Sequence, residues 1–231
     1  MPSAARILGV CAVVILGACA TKPQQPVQLA PDAVGPQSGR IGVAMTKLPD
    51  VDTHLPGASC LLCMATAAAA NSSLTDYAKT LSYEDLPELK NELAKLLAKK
   101  GANAIVISDA IDVDNLSSFS GEGTNVAKKD FSPVQQKYGV DKLLLIDITA
   151  LGFQRTYSAY IPTSDPKGVF RGSASIVNLK SNTYEWYMPV QVLKSADKQW
   201  DEPPKFPGLT NAYYQALELG KDQLRKAFVQ P

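Results

Sequence analysis

Residues 82–107 carry the clearest pattern in the chain, a helix followed by a buried strand. Ser82, with an acidic residue three positions later, resembles a capping box, and Gly101 is typical of the residue after a helix. Apolar residues recur between them at helical spacing: Leu86, Leu89, Leu93, Leu96 and Leu97. Ala104–Ile107 then predicts a short strand. Because Arg40–Met45 also predicts a strand, the three segments indicate a β-α-β unit.

The second half of the chain predicts a meander of strands followed by a helix. Lys142–Thr149, Val169–Leu179 and Thr183–Leu193 are candidate strands, and a tight turn separates the last two. Ser132–Tyr138 is a candidate short helix, and Leu209–Phe228 carries apolar residues near one helical face. The element order β-α-β-(α)-β-β-β-α predicts an α/β (α+β) fold, in which a mixed sheet is covered by helices mainly on one face.

The N-terminus resembles a bacterial secretory signal. Arg6 gives the short leader a positive charge, and residues 7–18 are uncharged but too few to span a bilayer permanently. Small residues directly precede Cys19, a pattern that resembles the lipobox of bacterial lipoproteins. The resemblance implies that residues 1–18 are removed as a signal peptide and that acyl chains on Cys19 anchor the mature protein. An ordinary secreted protein with an accidental cysteine is the alternative.

The segment after the lipobox predicts a tether. Residues 20–39 contain four prolines and several glutamines, which favour an extended chain over a packed one. We therefore expect 19–39 to be a lipidated tether and 40–231 a single periplasmic domain; the alternative is that part of the tether packs on the domain. Ala20 stands where inner-membrane lipoproteins often have aspartate, so the resemblance implies the outer membrane.

Charge limits the classes of partner. Removing residues 1–18 takes away only Arg6, so 23 basic and 22 acidic residues become 22 and 22. A neutral chain without a basic block argues against nucleic acid as a partner and against recruitment by anionic lipid alone. No Gly-rich phosphate loop is present, and we expect no cofactor.

Two segments resemble a known family of periplasmic domains. Tyr138–Leu145 is similar to the Gly-Ala-Asp-x-Leu-Leu start of a central strand, and Ser175–Trp186 is similar to a hairpin that contains Thr-Gly and Trp. Both occur in domains like the N-terminal domain of TolB, which include CsgG-type secretion lipoproteins and LpoB-type activators. Asn178 stands where the hairpin has aspartate. The resemblance covers residues 40–230 and implies an α/β domain that acts through its surfaces, without catalytic residues.

Cys60 and Cys63 form a Cys-Leu-Leu-Cys pair in a chain predicted for an oxidising compartment. We favour a structural disulfide; redox exchange, half of a metal site, and free or intersubunit thiols are the alternatives. Redox exchange requires the pair at a helix N-terminus directly after a strand, whereas residues 50–80 give no clear elements. A metal site lacks ligands, because His54 is the one histidine of the chain. We therefore expect no metal.

Three other features have both a structural and a functional interpretation. The apolar run Leu61–Ala70 predicts either a buried or capping helix or a contact surface for another subunit or a bilayer interface. Asp109, Asp112 and Asp114 suit a solvated loop better than a cation site, because the distal glutamate of an EF-hand is missing. Aromatic residues near the hairpins indicate either sheet packing or a recognition face: Tyr157, Tyr160, Tyr184, Trp186 and Tyr187.

These features together predict a protein that is not an enzyme. We expect a lipid-anchored periplasmic binding or assembly module at the outer membrane, with an envelope protein partner or a homo-oligomer as its complex. A thiol-disulfide redox protein using Cys60 and Cys63 is the first alternative. An oligomeric secretion-channel lipoprotein is the second, with residues 143–180 supplying at most one hairpin.

Overall fold

The computed structural model describes residues 23–229, so the predicted signal peptide and Cys19 lie outside the described residues. The elements follow in chain order: β1 (Arg40–Met45), β2 (Val51–His54), α1 (Leu61–Ala70), α2 (Ser72–Ala78), a 3₁₀ turn (Leu86–Glu88), α3 (Leu89–Lys99), β3 (Asn103–Val106), α4 (Ser132–Tyr138), β4 (Lys142–Gln154), β5 (Tyr157–Ser158), β6 (Ile161–Pro162), β7 (Lys167–Asn178), β8 (Thr183–Ser195) and α5 (Pro207–Val229).

One mixed sheet organises the described chain, with strand order β3-β1-β4-β7-β8. β1 pairs in parallel with β3 and β4, whereas β4, β7 and β8 form an antiparallel meander. β2 pairs in parallel with the last four residues of β4. We call the end where β4 and β8 finish, at Gln154 and Ser195, the upper end of the sheet. The predicted mixed α+β fold is confirmed.

The larger hydrophobic core lies between the sheet and the helices α3 and α5. The backbone of α5 rests directly on β7, since a Cβ atom on Gly168 would lie 2.5 Å from the backbone of Ala212. The largest core side chains come from all three elements: Leu89, Leu93 and Leu97 of α3, Phe153 and Phe170 of the sheet, and Tyr213, Leu217 and Leu224 of α5. The two long helices therefore cover the same face, as predicted.

A smaller core covers only the lower half of the opposite face. Val134 of α4 and Phe131 just before it pack on Leu143 and Val177 of the sheet. Asn182 holds the covering loop in place, because its side-chain amide donates to the carbonyl oxygens of residues 127 and 129. Among residues 23–229, no helix contributes a buried side chain to this core above the part that α4 covers.

The helix α3 ends as predicted but begins later. Gly101 has a left-handed φ of +84°, and the Ala102 N–H donates to the Leu97 carbonyl, which completes a Schellman motif. Ser82 does not cap the helix, because its hydroxyl instead bonds Glu84. Pro87 lies in a separate 3₁₀ turn between them. The capping-box prediction is therefore wrong, although the periodic leucines are helical and buried.

The predicted tether packs on the domain over much of its length. Val27 exchanges backbone hydrogen bonds of 2.9 and 3.1 Å with Tyr187 of β8. Ala33 is fully buried in the larger core. The Lys142 ammonium donates to the carbonyl oxygens of Asp32 and Ala33 at 3.1 and 3.2 Å. The prediction of an extended tether is wrong from Val27 onward, because hydrogen bonds and apolar contacts with the domain hold this proline-rich segment in place.

Candidate functional site

Cys60 and Cys63 lie at the start of α1, where the structure joins their sulfur atoms as a disulfide with a Cα–Cα distance of 4.9 Å. Cys60 is the N-cap residue, and its sulfur accepts a 3.0 Å hydrogen bond from the Cys63 N–H. Cys60 is exposed, whereas Cys63 is buried. The arrangement is compatible with the predicted disulfide. Residues 50–80 give no clear elements in the sequence, whereas the structure places the pair at the N-terminus of α1, which follows β2.

Exposed apolar side chains surround this disulfide. Leu61 is 87% exposed, Leu62 65%, and Met64 56%. Tyr160 and Ile161, at the tip of the β5–β6 hairpin, are 50% and 68% exposed. We call these five side chains, together with Cys60, the disulfide patch. The predicted helix over 61–70 is present, but it is not a buried one, because only Cys63 and Ala67 are buried. The exposed surface of α1 favours the contact-surface interpretation.

The hairpin and α1 form one unit. The hydroxyl of Tyr160 lies 3.9 Å from Cys60 Sγ, and the buried ring of Tyr157 packs in a small cluster with Cys63 and Ala67. The Asn71 amide donates 2.6 Å to the Tyr157 hydroxyl. These contacts place the hairpin tip and the first turn of α1 side by side.

A cleft opens on the uncovered upper half of the sheet. One part has a volume of about 660 Å³ and lies between the sheet and the loop 110–114. A second part, of about 490 Å³, continues across β7 and β8. Both parts share Asp147 and Thr149 of β4. We call their combined polar lining the sheet cleft: Thr46, Lys47, Asp112, Asp114, Asp147, Thr149, Arg171, Ser173, Tyr187 and Gln191.

Asp147 is the central charge of the sheet cleft. Its carboxylate accepts a 2.9 Å hydrogen bond from the Thr46 hydroxyl of the neighbouring chain segment. Burial raises the pKa of the nearby Tyr184 hydroxyl, with smaller contributions from Tyr187 and from the negative charge of Asp147. Sequence reasoning missed this site. Its signal is the pair of polar residues, Asp147 and Thr149, at alternate positions of an otherwise apolar strand.

The other polar residues that the sequence singled out do not form a common site. His54 lies in β2, with Nε2 3.0 Å from the Leu151 carbonyl oxygen. Asp109 accepts from Lys137 at 2.9 Å, and this bond lowers the pKa of the Asp109 carboxyl. Asp112 instead accepts from the Asn115 side chain at 2.6 Å. Across residues 23–229, no group of three or more His, Cys, Asp or Glu side chains is arranged to hold a metal ion.

The predicted aromatic cluster is split between three surroundings. Trp186 is buried in the larger core, with its ring 5.0 Å from that of Phe228. Tyr184 and Tyr187 pack against each other on the opposite face, at 5.3 Å between centroids. Tyr160 belongs to the disulfide patch, and Tyr157 is buried next to that patch with Cys63 and Ala67. Because neighbouring residues of a strand point to opposite faces, the aromatic side chains do not form one recognition surface.

No protein-family model and no curated protein sequence matches the chain. Similar solved structures include a Xanthomonas campestris protein of the DUF330 family, at 11% identity and a TM-score of 0.37, covering 86% of this chain and 87% of that one. The PelC dodecamer from Paraburkholderia phytofirmans is 8% identical, with a TM-score of 0.35, and the match covers 84% of this chain and 92% of that one. The lipoprotein GNA1162 from Neisseria meningitidis is 12% identical, with a TM-score of 0.31, and the match covers 81% of this chain and 98% of that one. At these scores, none carries an argument about function.

None of the helices in the described part of the chain is both long enough and apolar enough to cross a membrane.

Proposed function

We propose that the mature protein is a lipid-anchored binding module of the bacterial outer membrane, which acts in the periplasm through protein–protein contacts at the sheet cleft. The anchor is Cys19, as the lipobox resemblance implies. The proposal involves no catalytic turnover. The resemblance to TolB-like, CsgG-type and LpoB-type domains remains a prediction within it.

The observation that carries the proposal is the half-covered sheet. Loop 110–114 lies beside the uncovered part of the sheet and forms one wall of the cleft. The lining mixes Asp147, Arg171 and Thr149 with the half-buried ring of Tyr187, a combination of charged, hydroxyl and aromatic groups. Protein–protein contacts of moderate strength have this polar, hydrated character with aromatic anchors.

Photocrosslinking in intact cells tests the proposal. A photoreactive amino acid at Thr149, which is exposed in the cleft, is expected to give a discrete protein adduct. The same amino acid at Lys95, exposed on α3, is the matched control and should not give that adduct. Cys19→Ser should abolish both membrane fractionation and the adduct. Equal adducts from Thr149 and Lys95, or membrane retention of Cys19→Ser, would contradict the proposal.

The position of the cysteine pair favours a second candidate function, thiol-disulfide exchange. A pair at a helix N-terminus with an exposed first cysteine and a buried second one suits attack on the first sulfur. A substrate thiolate would attack Cys60 Sγ and release the Cys63 thiolate. A second substrate thiolate would then resolve the mixed disulfide, so that the substrate loses two electrons and the pair gains them.

A model dithiol peptide distinguishes this candidate. The oxidised protein should convert the peptide to its disulfide with equal appearance of thiols at Cys60 and Cys63, measured by mass after alkylation. Cys63→Ser has no disulfide to reduce and should therefore leave the peptide in its dithiol form. If the pair stays oxidised in excess peptide while the protein is folded, the redox candidate is wrong.

The secretion-channel alternative gains no support from the hairpin that motivated it. Both β4 and β7 are central strands of the sheet and pair with each other along their length. The segment between them supplies only the short hairpin of β5 and β6.

A further inference from the structure

We propose that the disulfide patch rests in the interfacial region of the bilayer to which Cys19 is anchored, so that the upper end of the sheet faces the membrane. This inference deepens the proposed function and depends on the lipidation of Cys19. Its occupant is a lipid surface rather than a protein.

The patch concentrates the exposed apolar side chains of the described residues. Eleven large hydrophobic side chains are exposed between residues 23 and 229, and five of them belong to the disulfide patch. They include the three most exposed of all: Leu61, Ile161 and Leu62. Contiguous exposed apolar side chains of this kind mark an interaction surface rather than ordinary scatter.

The two segments that carry the patch have no charged residue of their own, and the Arg155 guanidinium contacts both of them, at Asn71 and at the Ser164 carbonyl. Residues 55–75 and 156–164 contain no Asp, Glu, Lys, Arg or His. The two segments pack together, since the Tyr157 N–H donates to the Pro56 carbonyl at 2.8 Å and the Ala159 N–H to the Gly57 carbonyl at 3.2 Å. A protein contact normally has a polar rim, whereas an interfacial membrane contact favours apolar side chains with tyrosine at the boundary.

The direction of the chain at Val27 favours an anchor at this end of the molecule. Val27 pairs antiparallel with Tyr187, so at Val27 the preceding residues leave in the direction of Ser195. Ser195 is level with Lys167 and Gln154, at the upper end of the sheet. β2 pairs with the last residues of β4, so α1 follows at that same end.

The length of the segment from Cys19 to Val27 fits the distance from Val27 to the upper end of the sheet. Eight residues separate Cys19 from Val27, and a fully extended chain of this length reaches about 28 Å. Eight residues also separate Tyr187 from Ser195, which in a strand cover about 27 Å. Cys19 can therefore reach the upper end with little to spare. The lateral offset from β8 to β2 is three strand spacings, or about 14 Å. A lipid at Cys19 thus holds the disulfide patch close to the bilayer.

Tryptophan quenching in vesicles tests the inference on the full mature chain with its lipid. Leu62→Trp and, separately, Ile161→Trp are reconstituted into phosphatidylcholine vesicles whose acyl chains carry bromine. Leu219→Trp, at an exposed leucine on α5, is the matched control. The native Trp186 and Trp200 are common to all variants and are subtracted. We expect bromine to remove most of the added emission at residues 62 and 161, and little of that at residue 219.

Flotation of the vesicles distinguishes failure of the bilayer contact from failure of the lipid anchor. If the protein floats but bromine leaves residues 62 and 161 as bright as residue 219, the bilayer contact is wrong and the anchor stands. A second copy or a protein partner crosslinked over the disulfide patch would likewise contradict the bilayer contact. If the mature chain does not float and mass spectrometry finds no acyl group on Cys19, the proposed lipidation fails and this inference fails with it.

Discussion

The ammonium of Lys142 lies 2.6 Å from Glu185 Oε2, and both side chains are shielded from solvent at the lower end of the sheet. Lys142 begins β4, and Glu185 lies near the start of β8, two strands away. Because Lys142 also donates to two carbonyl groups of the N-terminal segment, this ion pair joins that segment to the sheet. It therefore holds residues 32 and 33 at the lower end of the sheet.

Removing this buried charge should destabilise the fold. Lys142→Met leaves the Glu185 carboxylate without its cation, and breaking a buried pair in this way costs about 3–5 kcal/mol. Urea unfolding followed by circular dichroism measures the loss, and proteolysis before residue 40 should accelerate. Lys137→Met, which breaks an exposed pair with Asp109, is the control and should leave the urea midpoint unchanged. Equal midpoints for the two variants would contradict the prediction.

The contact of α5 with β7 should not tolerate a methyl group. A Cβ atom on Gly168 would meet the backbone of Ala212, so Gly168→Ala forces the helix outward. Overpacking of this kind costs about 1–3 kcal/mol. Gly208→Ala, in the first turn of α5, has its nearest neighbour at 3.4 Å and should be close to neutral. Thermal unfolding of both variants tests the difference; a stable Gly168→Ala protein would show that the close approach is dispensable.

Loss of the disulfide should leave the fold intact. The ring closed by Cys60 and Cys63 spans only a few residues, and the chain-entropy account assigns such a ring about 2 kcal/mol. The double variant Cys60→Ser, Cys63→Ser should therefore unfold cooperatively at a slightly lower urea concentration. Reductant should shift the wild-type midpoint to that of the variant and leave the variant unchanged. If the double variant does not unfold cooperatively, the disulfide stabilises more of the fold than the start of α1.

Acid should weaken the contact between α5 and the turn before α3. Lys221 donates to Asp85 at 2.5 Å, and this hydrogen bond lowers the pKa of the Asp85 carboxyl. Because the folded pKa lies below the unfolded one, the pair contributes stability above the unfolded value of about 3.9, and this is lost as the pH falls through the folded pKa. The free energy of unfolding, measured from neutral to acid pH, should decline less steeply for Asp85→Asn than for the wild type. Parallel curves for the two proteins would refute this assignment.

Local patterns were reliable where neighbours in sequence supply the stabilising contacts. The helix α4 was predicted at its observed bounds, because Gly139 adopts the left-handed conformation that ends it. The Gly101 terminus of α3 was likewise correct. The start of α3 was not, since Ser82 bonds Glu84 and the Asp85 side chain pairs with Lys221 on a helix more than a hundred residues away.

The sequence by itself determined the mixed sheet, the order of its main elements and the face that α3 and α5 cover, because apolar residues at strand or helical spacing form one apolar face that packs on a core. Only the tertiary structure decided that the chain from Val27 packs on β8, that α1 remains exposed, and that Asp147 lines an open cleft. These features depend on contacts between distant segments, and an apolar run or a proline-rich stretch has the same pattern whether or not a partner segment covers it.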